Sequence, residues 1–370
     1  MLIAADEYAS RLTIDLRALQ DNWHLLNART PQADTGAVVK ADAYGIGIEA
    51  ATPALARAGC KVFFVAHLSE ARRVRAVAPD ATLYVLNGLP PGSSAEFHAI
   101  NAIPVIGSAV EAHEWAGSGP GYPCAIHVDT GMNRLGFEIS EAETLGSQNL
   151  FSPLNIALVM SHFSASEVSD DPANASQIAL FQGRVRPLFT QEGIKFSLLN
   201  SSGHFLTSAP ACDLTRPGYA LYGGNPTPYA PNPMRPVIKL EAPIIQTRKV
   251  MAGERVGYNG VWSAPSDRRL ATISLGYADG YPRNASGTDT KCGGEALVGG
   301  VICPFVGTVS MDLVILDVTD AAEEACQRGQ IATMIGGELG IDRVGKAAGT
   351  VGYELLTSLG RRYHRQYLGS

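Results

Sequence analysis

The chain has 370 residues, enough for two domains at ~150 residues each with one of them large. Lys plus Arg number 29 against 35 Asp plus Glu, a formal net charge of −6, so no cationic excess exists to neutralise phosphates and nucleic acid is excluded as a partner. Apolar residues at 46% and charged residues at 17% exclude intrinsic disorder and supply a full core.

In chain order, β-rich runs are predicted over residues 37–40, 62–65, 82–86, 103–106, 125–128, 156–161, 196–199 and near 220–222. Helix-like stretches separate them. One, residues 69–75, opens on Ser69 as a candidate cap with Glu70 early in the first turn. Another, residues 176–189, places Ile178, Phe181, Val185 and Phe189 on one face. Parallel strands need a crossover of a dozen or more residues, so this alternation predicts parallel pairing. About eight such units within the first ~225 residues predict an α/β fold that begins with a closed (β/α)8 TIM-like barrel. The barrel domain is placed at residues 1–235, with a leading segment that could pack on the second domain. Pro226, Pro228, Pro231 and Pro233 then make a stiff connector. Beyond it, residues 237–250, 271–275, 295–301, 305–309, 314–318 and 330–335 read as strands, with helix only over 342–359. Residues 236–370 are therefore expected to form a mostly-β domain.

Six cysteines (Cys60, Cys124, Cys212, Cys292, Cys303 and Cys326) form no CxxC pair and no short Cys/His cluster. Buried free thiols are expected, with neither a disulfide framework nor a metal site. The opening MLIAADEYASRLTIDL carries acids where a secretory leader carries bases. No window reaches the ~18 uncharged apolar residues of a bilayer span, so the expectation is a cytoplasmic protein without a membrane partner.

The unusual polar residues of the first domain fall at strand ends. Lys40 closes GAVVK; His127, Asp129 and Arg134 lie at and after PCAIHVD; His162 follows NIALVMS; Asn200-Ser201-Ser202-Gly203 follows FSLL; Arg216 stands in TRPGYALYGG. The C-terminal strand ends of a barrel carry its active site, so these residues would converge on one mouth. A lysine partly desolvated at a buried strand end has a lowered pKa and a free amine for Schiff-base chemistry. The glycines of NSSGHF and RPGYALYGG would let backbone N–H groups approach an anion. Lysine plus a phosphate cradle points to pyridoxal 5′-phosphate (PLP). The same glycines would equally serve as plain βα turns, and these residues alone leave both readings open.

Nine segments in order widen the view: VVKADAYGIG, HVDTGMNRLGF, SHFSASE, NSSGHF, RPGYALYGG, VGYNGVW, SLGYADGYPR, GTVSMD and VGYELLTSLGRRYHRQY. Together they resemble the alanine racemase family from about residue 36 to the C-terminus. The resemblance implies a PLP-dependent barrel followed by a β-domain, assembled as a head-to-tail homodimer with active sites at the interface. It implies that Lys40 is the Schiff-base lysine and Tyr258 the second catalytic base. By the same resemblance Tyr44, Ser201, Tyr353 and the amides of Gly218 and Tyr219 hold the cofactor phosphate. Arg216 matches the arginine at the pyridine nitrogen, with His162 bonded behind it. Arg134 matches a contact to the cofactor's phenolic oxygen and the substrate carboxylate, and Met311 a backbone N–H to that carboxylate. One departure stands out: several members have a lysine, often carbamylated, seven residues before the MNRLG arginine, and here that position is His127. Thr308 likewise occupies a position where arginine is frequent.

Racemisation removes a proton from one face of an α-carbon and delivers one to the other, which calls for two opposed groups. On the resemblance, Lys40 serves the face carrying the proton in the D-isomer and Tyr258 the L face, acting on a PLP external aldimine of alanine. Both side chains have reference pKa values near 10, which nearby cations such as Arg134 and Arg216 would lower. Arginine opposite the pyridine nitrogen leaves it unprotonated, which favours simple proton transfer over decarboxylation or transamination. The alternatives are a broader racemase of serine or basic amino acids on the same scaffold, and a non-catalytic PLP-binding protein. The β-domain with Tyr258 and Met311 counts against the second.

Overall fold

The computed structural model describes residues 10–119 and 121–369. The described residues divide into two compact units: 19–235, and 236–369 together with 10–18.

The first unit is a parallel barrel. Seven strands hydrogen-bond in the order Ala37–Val38, Val62–Val65, Thr82–Val85, Ile103–Ile106, Pro123–His127, Asn155–Met160 and Lys195–Ser197, every pair parallel. Strands covered on both faces read as continuous apolar runs, as VFFV and IPVI do here, and both are buried throughout. The ring closes through an eighth strand, Leu214–Thr215, paired in parallel with Asp34–Thr35. The Val38 N–H continues that seam by donating to the Pro217 carbonyl at 2.9 Å.

The strand expected near residues 220–222 is a 3-10 turn, Tyr219–Tyr222, followed by left-handed Gly223. Its residues are fully apolar and buried, and a short apolar run does not by itself separate strand from turn. Ser69 is not a cap either. The helix Leu68–Val77 is capped at His67, and the Glu70 carboxylate accepts the N–H groups of Ala66 at 2.9 Å and His67 at 3.2 Å. The expected 176–189 helix begins earlier, as Pro172–Leu180 capped by Asp171. It then loosens into a π turn at Phe181–Val185 and a 3-10 turn at Arg186–Leu188, with Phe181, Val185 and Phe189 buried as the periodicity requires.

The second unit is built on one long strand, Ile238–Val250. Its first half pairs with Arg11–Asp15 and Ile331–Ile335, and its second half with Arg268–Ser274, across an irregularity between Ile244 and Gln246. Arg11–Asp15 also pairs in parallel with His364–Leu368, an alternating, half-exposed strand that the apolar pattern does not reveal. Residues 295–301 turn out to contribute to a hairpin of Glu295–Val298 and Val301–Pro304. Residues 305–309 are not a strand; Phe305 makes one isolated bridge to Leu316. The expected helix over 342–359 is two, Ile341–Ala347 and Gly352–Thr357, parted where Gly349 takes φ +68°.

Candidate active site

Lys40 sits two residues past its strand and opens a turn of unusual hand. Ala41, Asp42, Ala43 and Tyr44 all have φ between 52° and 56°, a single left-handed helical turn of non-glycine residues. Left-handed helix costs roughly 1–2 kcal/mol per residue, so outside contacts must hold it. The Asp42 carboxylate accepts the Ile48 N–H at 3.1 Å and pairs with Arg73 at 2.5 Å, while the Asp42 N–H donates to Glu70 at 3.3 Å. Arg73 also pairs with Glu49 at 2.6 Å. The turn leaves Lys40 half-buried. Burial, then the charge of Arg134, lowers its pKa below the usual lysine range against an opposing pull from Glu70.

The same turn plants Tyr44 in the barrel. Its ring stacks on Tyr222 with centroids 4.5 Å apart, and Tyr222 donates to the Val38 carbonyl at 2.9 Å. Burial drives the Tyr44 phenol well above its ordinary pKa, which keeps it a proton-bearing donor. A Cβ on Gly218 would lie 2.3 Å from the Tyr44 hydroxyl, so only glycine admits the phenol there. The Ser201 hydroxyl accepts the N–H groups of Gly218 at 3.0 Å and Ala220 at 3.2 Å. Two hydroxyls thus meet the first turn of Tyr219–Tyr222, a donor set suited to a phosphate.

Arg216 is fully buried. Its guanidinium donates to the Ser197 hydroxyl and, at 2.5 Å, to the Ser161 carbonyl. Among the described residues no hydrogen bond joins His162 to Arg216, and the arginine acts on His162 as a charge. Burial lowers Arg216 to about 10, which leaves it cationic at neutral pH. Burial, then Arg216, Arg134 and Lys40, depresses His162 to about 3. Burial and Arg216 bring His127 to about 4 despite Asp129. Both imidazoles are therefore neutral, and among the described residues Lys40, Arg134 and Arg216 form no ion pair. With Glu70 acting on Lys40 alone of these cations, the excess of positive charge makes this mouth a receptor for anions.

Arg134 is carried by a loop pinched at its base, where Asp129 N donates to the Phe137 carbonyl and Phe137 N to the His127 carbonyl, both at 2.9 Å. Gln177 on the Pro172–Leu180 helix ties neighbouring loops together: its amide donates to the His162 carbonyl at 2.8 Å and the Thr130 hydroxyl at 3.3 Å, and its oxygen accepts the Ser164 N–H at 2.9 Å. Thr130 in turn meets the Ser161 hydroxyl at 2.8 Å. Sequence reading missed Gln177, Asp42, Glu70 and Arg73. Glu70 was read only as an early helix acid; the bonds that give these residues their roles, Asp42 N to Glu70, Arg73 to Asp42 and Gln177 to Thr130 and His162, span 15 to 47 residues and leave no local signal. Asp129 was visible at its strand end, without the role its carboxylate takes in the loop.

The remaining expected residues, Tyr258, Met311 and Tyr353, belong to the second unit. Tyr258 opens the 3-10 turn Tyr258–Gly260, and its side chain is 68% exposed. It borders a cavity of about 550 Å³ that Arg248, Arg255, Thr272, Ser310 and Leu313 also line. Met311 is 54% exposed on a turn fastened by Tyr277 N to the Ser310 carbonyl (3.1 Å) and Ala278 N to the Met311 carbonyl (3.0 Å). Arg362 braces that turn, pairing with Asp312 at 2.8 Å and Asp279 at 3.2 Å. Tyr353 is half-buried on Gly352–Thr357.

Residues 14–226 match the family model for the alanine racemase N-terminal domain and residues 237–367 that for the C-terminal domain. An alanine racemase of Methylobacterium nodulans is 54% identical over 371 residues, covering 99% of this chain and 98% of its own. The alanine racemase structure from Bartonella henselae with covalently bound pyridoxal phosphate superposes with TM-score 0.91 at 37% identity, covering 97% of this chain and 99% of its own. The biosynthetic alanine racemase from Pseudomonas aeruginosa superposes at 0.90 with 32% identity over the same shares of both chains. A lysine of lowered pKa among unpaired arginines, two domain models in order and full-length likeness make this chain a member of the alanine racemase family.

Proposed function

We propose that the chain interconverts L- and D-alanine with PLP as its cofactor, working as a homodimer. The observation that carries this reading is the barrel mouth, where Lys40, Arg134 and Arg216 make no ion pair among the described residues and lie with the Tyr44, Ser201 and Gly218 cradle. A phosphate, a phenolic oxygen and a substrate carboxylate supply the negative charges that such a mouth lacks, so the residues fit the cofactor. When bound, PLP withdraws electron density from the Cα–H bond of the amino acid joined to it.

Tyr44, Ser201 and the amides of Gly218 and Tyr219 would hold the phosphate, with Tyr353 as a further contact. Lys40 would attach the cofactor and, once displaced by substrate, use its Nζ as the base for one face. Its lowered pKa raises the fraction of neutral amine available to take a proton. Tyr258 would supply its hydroxyl to the other face, from a second copy of the chain. Its exposed ring in the β-domain suits delivery to a neighbour. Arg134 and the Met311 N–H would orient the substrate carboxylate. Arg216, which keeps its protons, would hold the pyridine nitrogen as a hydrogen-bond acceptor and so favour proton return over other fates of the substrate. His162 contributes as a neutral wall beside that arginine.

The test is the PLP-loaded protein with L-alanine, L-serine and L-lysine in separate reactions, each resolved by chiral separation. Conversion of L-alanine to an equal mixture of isomers, much faster than of the other two, is expected. Comparable or faster conversion of serine or lysine would mark a broader racemase, and no conversion of any would mark a cofactor-binding protein.

A further inference from the structure

We propose that Asp129 is the positioning residue for Arg134, acting through the backbone of the loop between them. The inference rests on the reading that Arg134 receives the substrate carboxylate. Three consecutive N–H groups converge on the Asp129 carboxylate: Gly131 at 2.8 Å and Met132 at 2.7 Å on one oxygen, Asn133 at 2.6 Å on the other. Asn133 is held at φ 55° as the last of the three, immediately before Arg134. Burial opposes ionisation of Asp129, yet these three bonds bring its pKa below the ordinary carboxylate value. The charge is therefore committed to the backbone.

The loop closes just after Arg134. Gly136 has φ +106°, and a Cβ there would lie 3.0 Å from the Asp129 nitrogen, the His127 carbonyl and the His127 ring carbon Cδ2. His127 is thus used as a packing surface beneath the loop, neutral and buried, and it offers no anion to the guanidinium. Arg134 itself is exposed and makes no hydrogen bond or ion pair among the described residues. An arginine with no side-chain support owes its placement to its backbone, and that backbone is fixed from residue 129.

The experiment compares the full-length protein with Asp129→Ala, Asp129→Asn, Arg134→Ala and the Asp129→Ala/Arg134→Ala double variant. The probe is propionate, which has alanine's carboxylate and carbon chain without the amine. Without cofactor, Asp129→Ala is expected to speed amide hydrogen exchange at Gly131, Met132 and Asn133 by about tenfold or more. With PLP bound, its propionate inhibition constant and its KM for alanine rise together by about tenfold, kcat falls less, and the cofactor's visible absorbance stays as in the parent. Asp129→Asn, which keeps one acceptor oxygen, falls between the parent and Asp129→Ala and carries the test if the alanine variant does not fold. The double variant binds propionate no more weakly than Arg134→Ala alone, because Asp129 acts through the arginine. Parent-like propionate binding in Asp129→Ala, where Arg134→Ala has lost it, overturns the inference and leaves the role of Arg134 standing. Parent-like propionate binding in Arg134→Ala instead overturns that role, whatever the exchange rates show.

Discussion

His204 shows how far burial, aided by a neighbouring charge, can move a side chain's pKa in this molecule. It is 4% exposed, next to Arg29, and burial depresses it to about 4 from an ordinary 6.5. An imidazole neutral when folded and protonated when unfolded makes the unfolded chain bind more protons below pH 6.5. Its contribution is complete above 6.5 and is lost as pH falls toward 4, at up to ~1.4 kcal/mol per pH unit per group. His127 and His162 act in the same direction, so stability should fall steeply between pH 6.5 and 4. Replacing His204 by Asn should remove about one proton from that slope in denaturant titrations across the range. An unchanged slope would show that His204 is protonated in the folded protein. Of these histidines, His127 and His162 were legible in the sequence as strand-end residues. His204 was not, because its burial depends on contacts with the chain near Leu26 and Arg29.

Elements were legible where one apolar period dominated and illegible where chain geometry overrode it. Val62–Val65 and Ile103–Ile106 have the bounds their apolar runs suggest. Residues 220–222 have the same apolar character and form a 3-10 turn, flanked by Gly218, which admits Tyr44, and by left-handed Gly223. The left-handed turn after Lys40 was invisible, since Ala41 and Ala43 disfavour positive φ and only Asp42 is of a type that visits it. Its support is a division of labour. Asp42 caps the next helix at Ile48, whereas Arg73 adds partly exposed ion pairs, which are worth little. Asp42→Ala is expected to cost about 1–2 kcal/mol and to raise the PLP concentration needed for half-saturation. Arg73→Ala should cost less than about 1 kcal/mol. Equal losses for the two variants in unfolding and PLP titrations would assign the support to the ion pairs.

At the scale of the molecule, the residues expected to carry the reaction lie in different units of one chain: Lys40 in the barrel and Tyr258 in the β-domain. The order barrel, proline-rich connector, β-domain was readable from strand–helix alternation and its abrupt end. That the leading segment could join the β-domain was expected, but the pairing of residues 11–15 was not readable, because its partner strands lie more than two hundred residues away. The account's central claim is that two bases from two copies of the chain serve one substrate. Its most direct test is to exchange subunits between Lys40→Ala and Tyr258→Phe proteins, each nearly inactive alone, and to assay alanine racemisation. Random dimerisation would put half the molecules into heterodimers with one intact site of two, so activity should return to roughly a quarter of the parent's. No recovery, with heterodimers verified in solution, would contradict the claim and place both bases on a single chain.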